Sequence, residues 1–149
     1  MKKILLSIFA ICCLFMMEGQ AQDYSRSFGI RAGLGANVTY KQFISNASAF
    51  EGMAGFYFGN LYAALVYEKH NNFANDVAGL TWYWGAGGSI LLKSGELGIG
   101  IAGAIGLDYS FRDIPLNVSL DWMPNVFITG SNGLEAGGGG VSLRYILDR

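Results

Sequence analysis

The single histidine of the chain, His70, stands two residues from Glu68. An imidazole next to a carboxylate is part of the constellation that activates a serine for acyl transfer, with the acid orienting the ring and the ring taking the hydroxyl proton. No serine is clearly placed beside this pair, however. His70 also opens a turn-rich run that extends to Asp76, where a solvated side chain is expected. No catalytic residue is assigned, and the chain is not expected to be an enzyme. One histidine with scattered carboxylates offers no metal-ligand spacing, so neither a metal nor another cofactor is expected. Gly98-Ile-Gly100-Ile-Ala-Gly103 matches a dinucleotide-binding string. That fingerprint belongs at a strand-to-helix turn, whereas this one lies in the middle of an alternating strand. Asn37-Val-Thr39, Asn46-Ala-Ser48 and Asn117-Val-Ser119 are glycosylation triplets by pattern and are read as coincidental.

The residues with more to say are seven charges: Arg31, Lys41, Glu51, Glu68, Asp108, Asp121 and Arg144. All fall on the parity of their segments that otherwise holds small or polar residues. Side chains of a strand alternate between faces, so the seven share one side of a sheet. Buried charges are costly unless paired and hydrogen-bonded. They are therefore expected to form a structural network in which Arg31 and Arg144 each reach a carboxylate.

The elements that position them alternate with period two. From Leu97 to Phe111, Leu97, Ile99, Ile101, Ile105, Leu107, Tyr109 and Phe111 oppose Gly98, Gly100, Ala102, Ala104, Gly106, Asp108 and Ser110. The same sorting runs through 28–35, 81–92, 116–122 and 140–147, and less cleanly through 38–41, 52–58 and 61–68. Turn signals separate these runs at Gly35-Ala36, Ser45 to Ser48, Gly59-Asn60, His70 to Asp76, Lys93 to Glu96, Arg112 to Pro115 and Thr129 to Gly133. Seven connections join eight strands.

The N-terminus reads differently. Lys2 and Lys3 precede an apolar run from Ile4 to Met17, and Gly19-Gln-Ala21 supplies the small residues of a cleavage site. This is the pattern of a secretory signal peptide. The run is short for a transmembrane helix, which needs about 20 apolar residues. Residues 1–21 are read as the signal peptide and 22–149 as one domain. Cys12 and Cys13 both lie in the leader, so the processed domain carries neither a disulfide nor a thiolate site.

Composition decides which face points where. Hydrophobic residues make up 52% of the chain and charged residues 14%, with 22 glycines and 2 prolines. A soluble domain usually carries about 25% charged residues. The interior of an eight-stranded barrel is barely wide enough for side chains. The bulky face cannot fit there, so it points outward into lipid. The expected fold is all-β: an eight-stranded, antiparallel, up-and-down transmembrane β-barrel. Tyr40, Tyr67, Trp82, Tyr109, Phe111 and Tyr145 are expected at a membrane interface, where amphipathic rings collect. The net charge of −1 and the lack of a basic block exclude a nucleic-acid partner.

Two stretches, Leu80-Thr-Trp-Tyr-Trp-Gly-Ala-Gly-Gly88 and Gly106-Leu-Asp-Tyr-Ser-Phe-Arg-Asp-Ile-Pro-Leu-Asn-Val-Ser-Leu-Asp-Trp-Met-Pro124, resemble the short outer-membrane barrels of the OmpA-like β-barrel superfamily. The resemblance implies a Gram-negative outer-membrane location, lipid and the outer-membrane assembly machinery as partners, and no catalytic residue. A structural or surface-interaction role is expected. The alternatives are a lipid-modifying enzyme of the outer membrane and a soluble, lipocalin-like periplasmic carrier of an apolar ligand.

Overall fold

A computed structural model describes residues 24–73, 77–130 and 133–149. The leader expected at 1–21 lies outside the described residues. The described chain is a closed antiparallel barrel of eight strands, two of them broken. In chain order they are β1 (Arg26–Gly33), β2 (Ala36–Phe43), β3 (Ser48–Tyr57), β4 (Asn60–Asn72), β5 (Leu80–Lys93), β6 (Glu96–Ser110), β7 (Leu116–Trp122), β8 (Asn125–Phe127), β9 (Gly133–Glu135) and β10 (Gly139–Asp148). Each strand pairs with the next, and β10 returns to pair with β1. Closure gives the ladder donors and acceptors partners within the sheet, which an open sheet edge does not provide.

The seventh strand is β7 and β8 in one register against β6: Trp122 faces Ile105 and Asn125 faces Ala102. The break falls at Met123-Pro124, where proline has no N–H to give the ladder; its carbonyl still accepts from Gly103 N at 2.9 Å. The eighth strand is β9 and β10, and here the register slips by one residue across Ala136–Gly138.

Two connections show why the register holds. Phe58-Gly59 and Ser94-Gly95 have φ of 48° and 78°, and of 51° and 83°. Two consecutive left-handed residues make the two-residue turn whose twist matches that of a hairpin, and glycine takes the second position without a steric cost. The β5–β6 hairpin built on Ser94-Gly95 is the longest ladder, running from Lys93 opposite Glu96 to Leu80 opposite Tyr109.

The alternation sorts the faces. Ile30, Leu65, Ile101, Leu107, Leu120 and Leu143 are exposed on the outside, among thirty-one large hydrophobic side chains that the described residues leave uncovered. A soluble monomer rarely exposes a continuous apolar patch beyond a few hundred Å²; here the outer wall is such a surface. All seven charges named above are buried inside.

The interior is not as small-sided as the composition suggests. Met53, Tyr57, Tyr62, Val66, Tyr83, Leu91, Met123 and Phe127 also point inward and form one apolar cluster. Apart from mid-strand Val66 and from Tyr83, which lies opposite His70 in the other half, they fill the half of the barrel next to the short turns at 34–35, 58–59 and 94–95. The half nearer the chain termini is polar. A second difference concerns β4, which continues to Asn72 and so takes His70 out of the expected turn.

Candidate functional site: an ionic lumen

Inward positions on seven of the eight strands bring the charges together. Arg31 comes from β1, Lys41 from β2, Glu51 from β3, Glu68 from β4, Asp108 from β6, Asp121 from β7 and Arg144 from β10. β5 contributes Tyr83, which is 1% exposed and touches both parts of the network.

The first part is compact. Arg31 Nη2 lies 2.5 Å from Asp121 Oδ1 and donates to the Gly138 carbonyl at 2.7 Å. Tyr83 Oη donates to the other Asp121 oxygen at 3.2 Å. Two glycines make room for this group. A Cβ on Gly140 would sit 2.6 Å from Arg31 Cζ, and one on Gly106 would sit 2.9 Å from Tyr83 Cζ. Neither contact is possible at van der Waals distance, so the sequence leaves those side chains out.

The second part crosses the lumen. Lys41 Nζ lies 2.8 Å from Glu68 Oε2, 3.2 Å from Glu51 Oε2 and 4.4 Å above the Tyr83 ring. Arg144 pairs with Glu51, and it donates to Ser119 Oγ at 2.8 Å and Asn117 Oδ1 at 3.1 Å. Thr39 donates its hydroxyl to Glu51 as well. Asp108 accepts from Asn117 Nδ2 at 2.8 Å and from Tyr24 Oη at 3.3 Å. Its other oxygen lies 3.8 Å from Arg144 and 3.9 Å from Lys41.

His70 belongs to this second part. Solvation was expected for it; instead it is 2% exposed, with Nε2 3.0 Å from Glu68 Oε2 and Nδ1 3.3 Å from Thr81 Oγ1. Its ring stacks on Tyr83 at 4.9 Å and meets Phe43 edge-on at 4.8 Å. The physical reason is the length of β4: Asn71 and Asn72 are turn formers by composition, yet they pair with Trp82 and Thr81 of β5 and hold His70 in the wall. The Glu68–His70–Thr81 set is enclosed in the lumen.

Tyr24, just ahead of β1, closes the terminal end. It is 3% exposed and packs edge-on against Phe43 at 5.1 Å. Burial, with the charge of Asp108 adding to it, holds the Tyr24 phenol above its usual range, so the hydroxyl remains a donor.

The outward aromatic residues lie apart from this network. Tyr40, Tyr67 and Tyr145 are exposed, and Trp82, Tyr109 and Phe111 are half-buried on the outer wall. All six sit on the terminal halves of their strands or just beyond them. Phe28 adds to the belt as the ladder neighbour of both Tyr40 and Tyr145.

Removing an ion from water costs several kcal/mol even after relaxation. The lumen offsets this with pairs and fixed dipoles. Among the described residues no group of three or more His, Cys, Asp or Glu is placed to hold a metal ion. Comparison with protein-family models, curated proteins and solved structures returns no match.

Proposed function

We propose that the chain is a small integral outer-membrane β-barrel protein with a closed, charge-paired lumen and a structural or surface-interaction role. One observation carries the reading: the wall is greasy outside and ionic inside. Ile101, Leu107, Leu120 and Leu143 are exposed, while Lys41, Glu51, Asp108 and Arg144 are at most 1% exposed. Water would favour the reverse arrangement, and acyl chains favour this one. The aromatic belt at the terminal end agrees with a membrane interface there. The leader at 1–21 would deliver the chain to the envelope, and the outer-membrane assembly machinery would insert it. The likeness of Leu80–Gly88 and Gly106–Pro124 to the OmpA-like superfamily belongs to the same proposal.

The turns at 34–35, 58–59 and 94–95 are short, which favours a scaffold in the wall over a large recognition surface. The test is cell fractionation followed by electrophoresis with and without heating. The protein is expected in the outer-membrane fraction, migrating as a compact species until boiled. Release with the soluble periplasm would instead favour a carrier. Loss of a lipid modification on replacing His70 and Glu68 would favour an enzyme.

A further inference from the structure

The buried charges do not balance. Among the described residues the lumen holds three cations, Arg31, Lys41 and Arg144, against four carboxylates, Glu51, Glu68, Asp108 and Asp121. Arg31 and Asp121 neutralise one another in their own part of the network. That leaves Lys41 and Arg144 facing Glu51, Glu68 and Asp108, with one negative charge in excess while His70 is neutral. An uncompensated charge in a dry interior is far more costly than a bound proton.

The geometry also indicates where a proton belongs. Glu51 is well supported as a carboxylate: Arg144, Thr39 and Lys41 all point at it. Asp108 accepts from Asn117 and Tyr24 on Oδ2; its Oδ1 has no hydrogen-bond partner, but both Lys41 and Arg144 stand within 4 Å of that oxygen and hold it as a carboxylate. Glu68 is supported only on Oε2, by Lys41 and His70. Its Oε1 is buried with no hydrogen-bond partner. Glu51 and Glu68 are also neighbours, because Lys41 Nζ stands 3.2 Å from Glu51 Oε2 and 2.8 Å from Glu68 Oε2. Two ionised carboxylates in that position repel, whereas one proton between them makes a bond.

We infer that the lumen is a proton-binding site, with Glu68 protonated on Oε1 and donating to an ionised Glu51. Oε2 keeps its ion pair with Lys41 and its contact with His70, so no observed contact is lost. His70 stays neutral, stacked on Tyr83. The lumen then carries three positive and three negative charges. Among the described residues the charged and titratable groups that face the site are Tyr24 ahead of β1, Lys41 on β2, Glu51 on β3, His70 on β4, Tyr83 on β5, Asp108 on β6 and Arg144 on β10. Asp121 and Arg31 lie beyond Tyr83. In the unfolded chain Glu68 is ionised at neutral pH, so folding takes up one proton. Stability therefore falls as pH rises, by roughly tenfold in the unfolding equilibrium per pH unit while the site stays occupied.

Two measurements test this. The first is infrared spectroscopy of the folded protein at pH 8 with glutamate carrying a 13C-labelled side-chain carboxyl. A protonated-carboxyl band that shifts with the glutamate label is expected. No such band, or one that shifts only with labelled aspartate, overturns the assignment. The second is the unfolding equilibrium between pH 7 and 8.5. The pH slope of the wild type is expected to flatten by about one proton in Glu68→Gln, whose amide keeps a permanent donor. Equal slopes in the two proteins contradict the proposal. If Glu68→Gln does not fold, the labelled wild type decides the matter alone.

Discussion

The guanidinium of Arg144 on β10 is paired with the carboxylate of Glu51 on β3, across the lumen and 93 residues away in sequence. β1 and β2 separate those strands in the wall. The pair therefore ties two parts of the barrel that no ladder hydrogen bond joins. Both side chains are at most 2% exposed.

Breaking such a pair from one side leaves a buried charge without its partner. Arg144→Ala is expected to lose about 3–5 kcal/mol of stability. Replacing both partners with apolar residues of similar volume, as in Arg144→Met with Glu51→Leu, should cost less than Arg144→Ala alone. Denaturant unfolding of the single and double variants gives the comparison. A double variant worse than the single one would mean that Glu51 has an equally strong second role.

Gly140 leaves the space that the Arg31 guanidinium fills. Gly140→Ala is expected to push that group off Asp121 and cost about 1–3 kcal/mol, as overpacking does. The neighbouring Gly139 is the control, because a Cβ there meets nothing within 4 Å. Gly139→Ala should be nearly silent in the same unfolding assay.

Tyr83 donates a hydrogen bond to buried Asp121 and presents its ring to Lys41 and His70. Tyr83→Phe keeps the ring and removes the hydroxyl. A loss of about 1.5–3 kcal/mol is expected, the usual range for a hydrogen bond to a charged group. Tyr83→Leu removes both and should lose more; equal losses would show that the ring contributes nothing.

The outer wall gives a prediction of opposite sign for lipid and for water. Leu120→Arg, at a position exposed on the outside, is expected to destabilise the barrel folded in lipid vesicles by about 2–4 kcal/mol if it lies near the bilayer midplane. In a soluble barrel the same change would be neutral or would improve solubility. Folding yield across a urea series in vesicles reads the difference.

The strand wall was legible because its two faces differ in size. From Leu97 to Phe111 every bulky residue shares one parity, and β6 follows that pattern throughout. The stretch Phe56-Tyr57-Phe58 carried no such signal, since both faces are aromatic; only the barrel context sends Tyr57 inward and leaves its neighbours outside. Tyr62 and Leu91 lie in runs whose two faces are both bulky, and Phe127 lies past the alternating run that ends at Trp122, so the apolar half of the lumen is not visible in the sequence. His70 was misplaced because Asn71-Asn72 reads as a turn, while pairing with the long β5 overrides that local preference. The charges could be assigned to one face from parity alone. Their partners could not, because contacts across the lumen depend on how the strands stagger around the closed wall.

The central claim is the direction in which the two parities point. The most direct measurement places single cysteines, one at a time, at Leu120, Ile101 and Leu143 and at Ser119, Ala102 and Ser142 in a protein of residues 22–149, a stretch with no cysteine of its own. Spin labels on the first three are expected to collide with oxygen dissolved in the bilayer, and labels on the second three to be shielded from it. Outward labels relaxed instead by a water-soluble reagent, with inward ones packed in a dry apolar centre, would contradict the account.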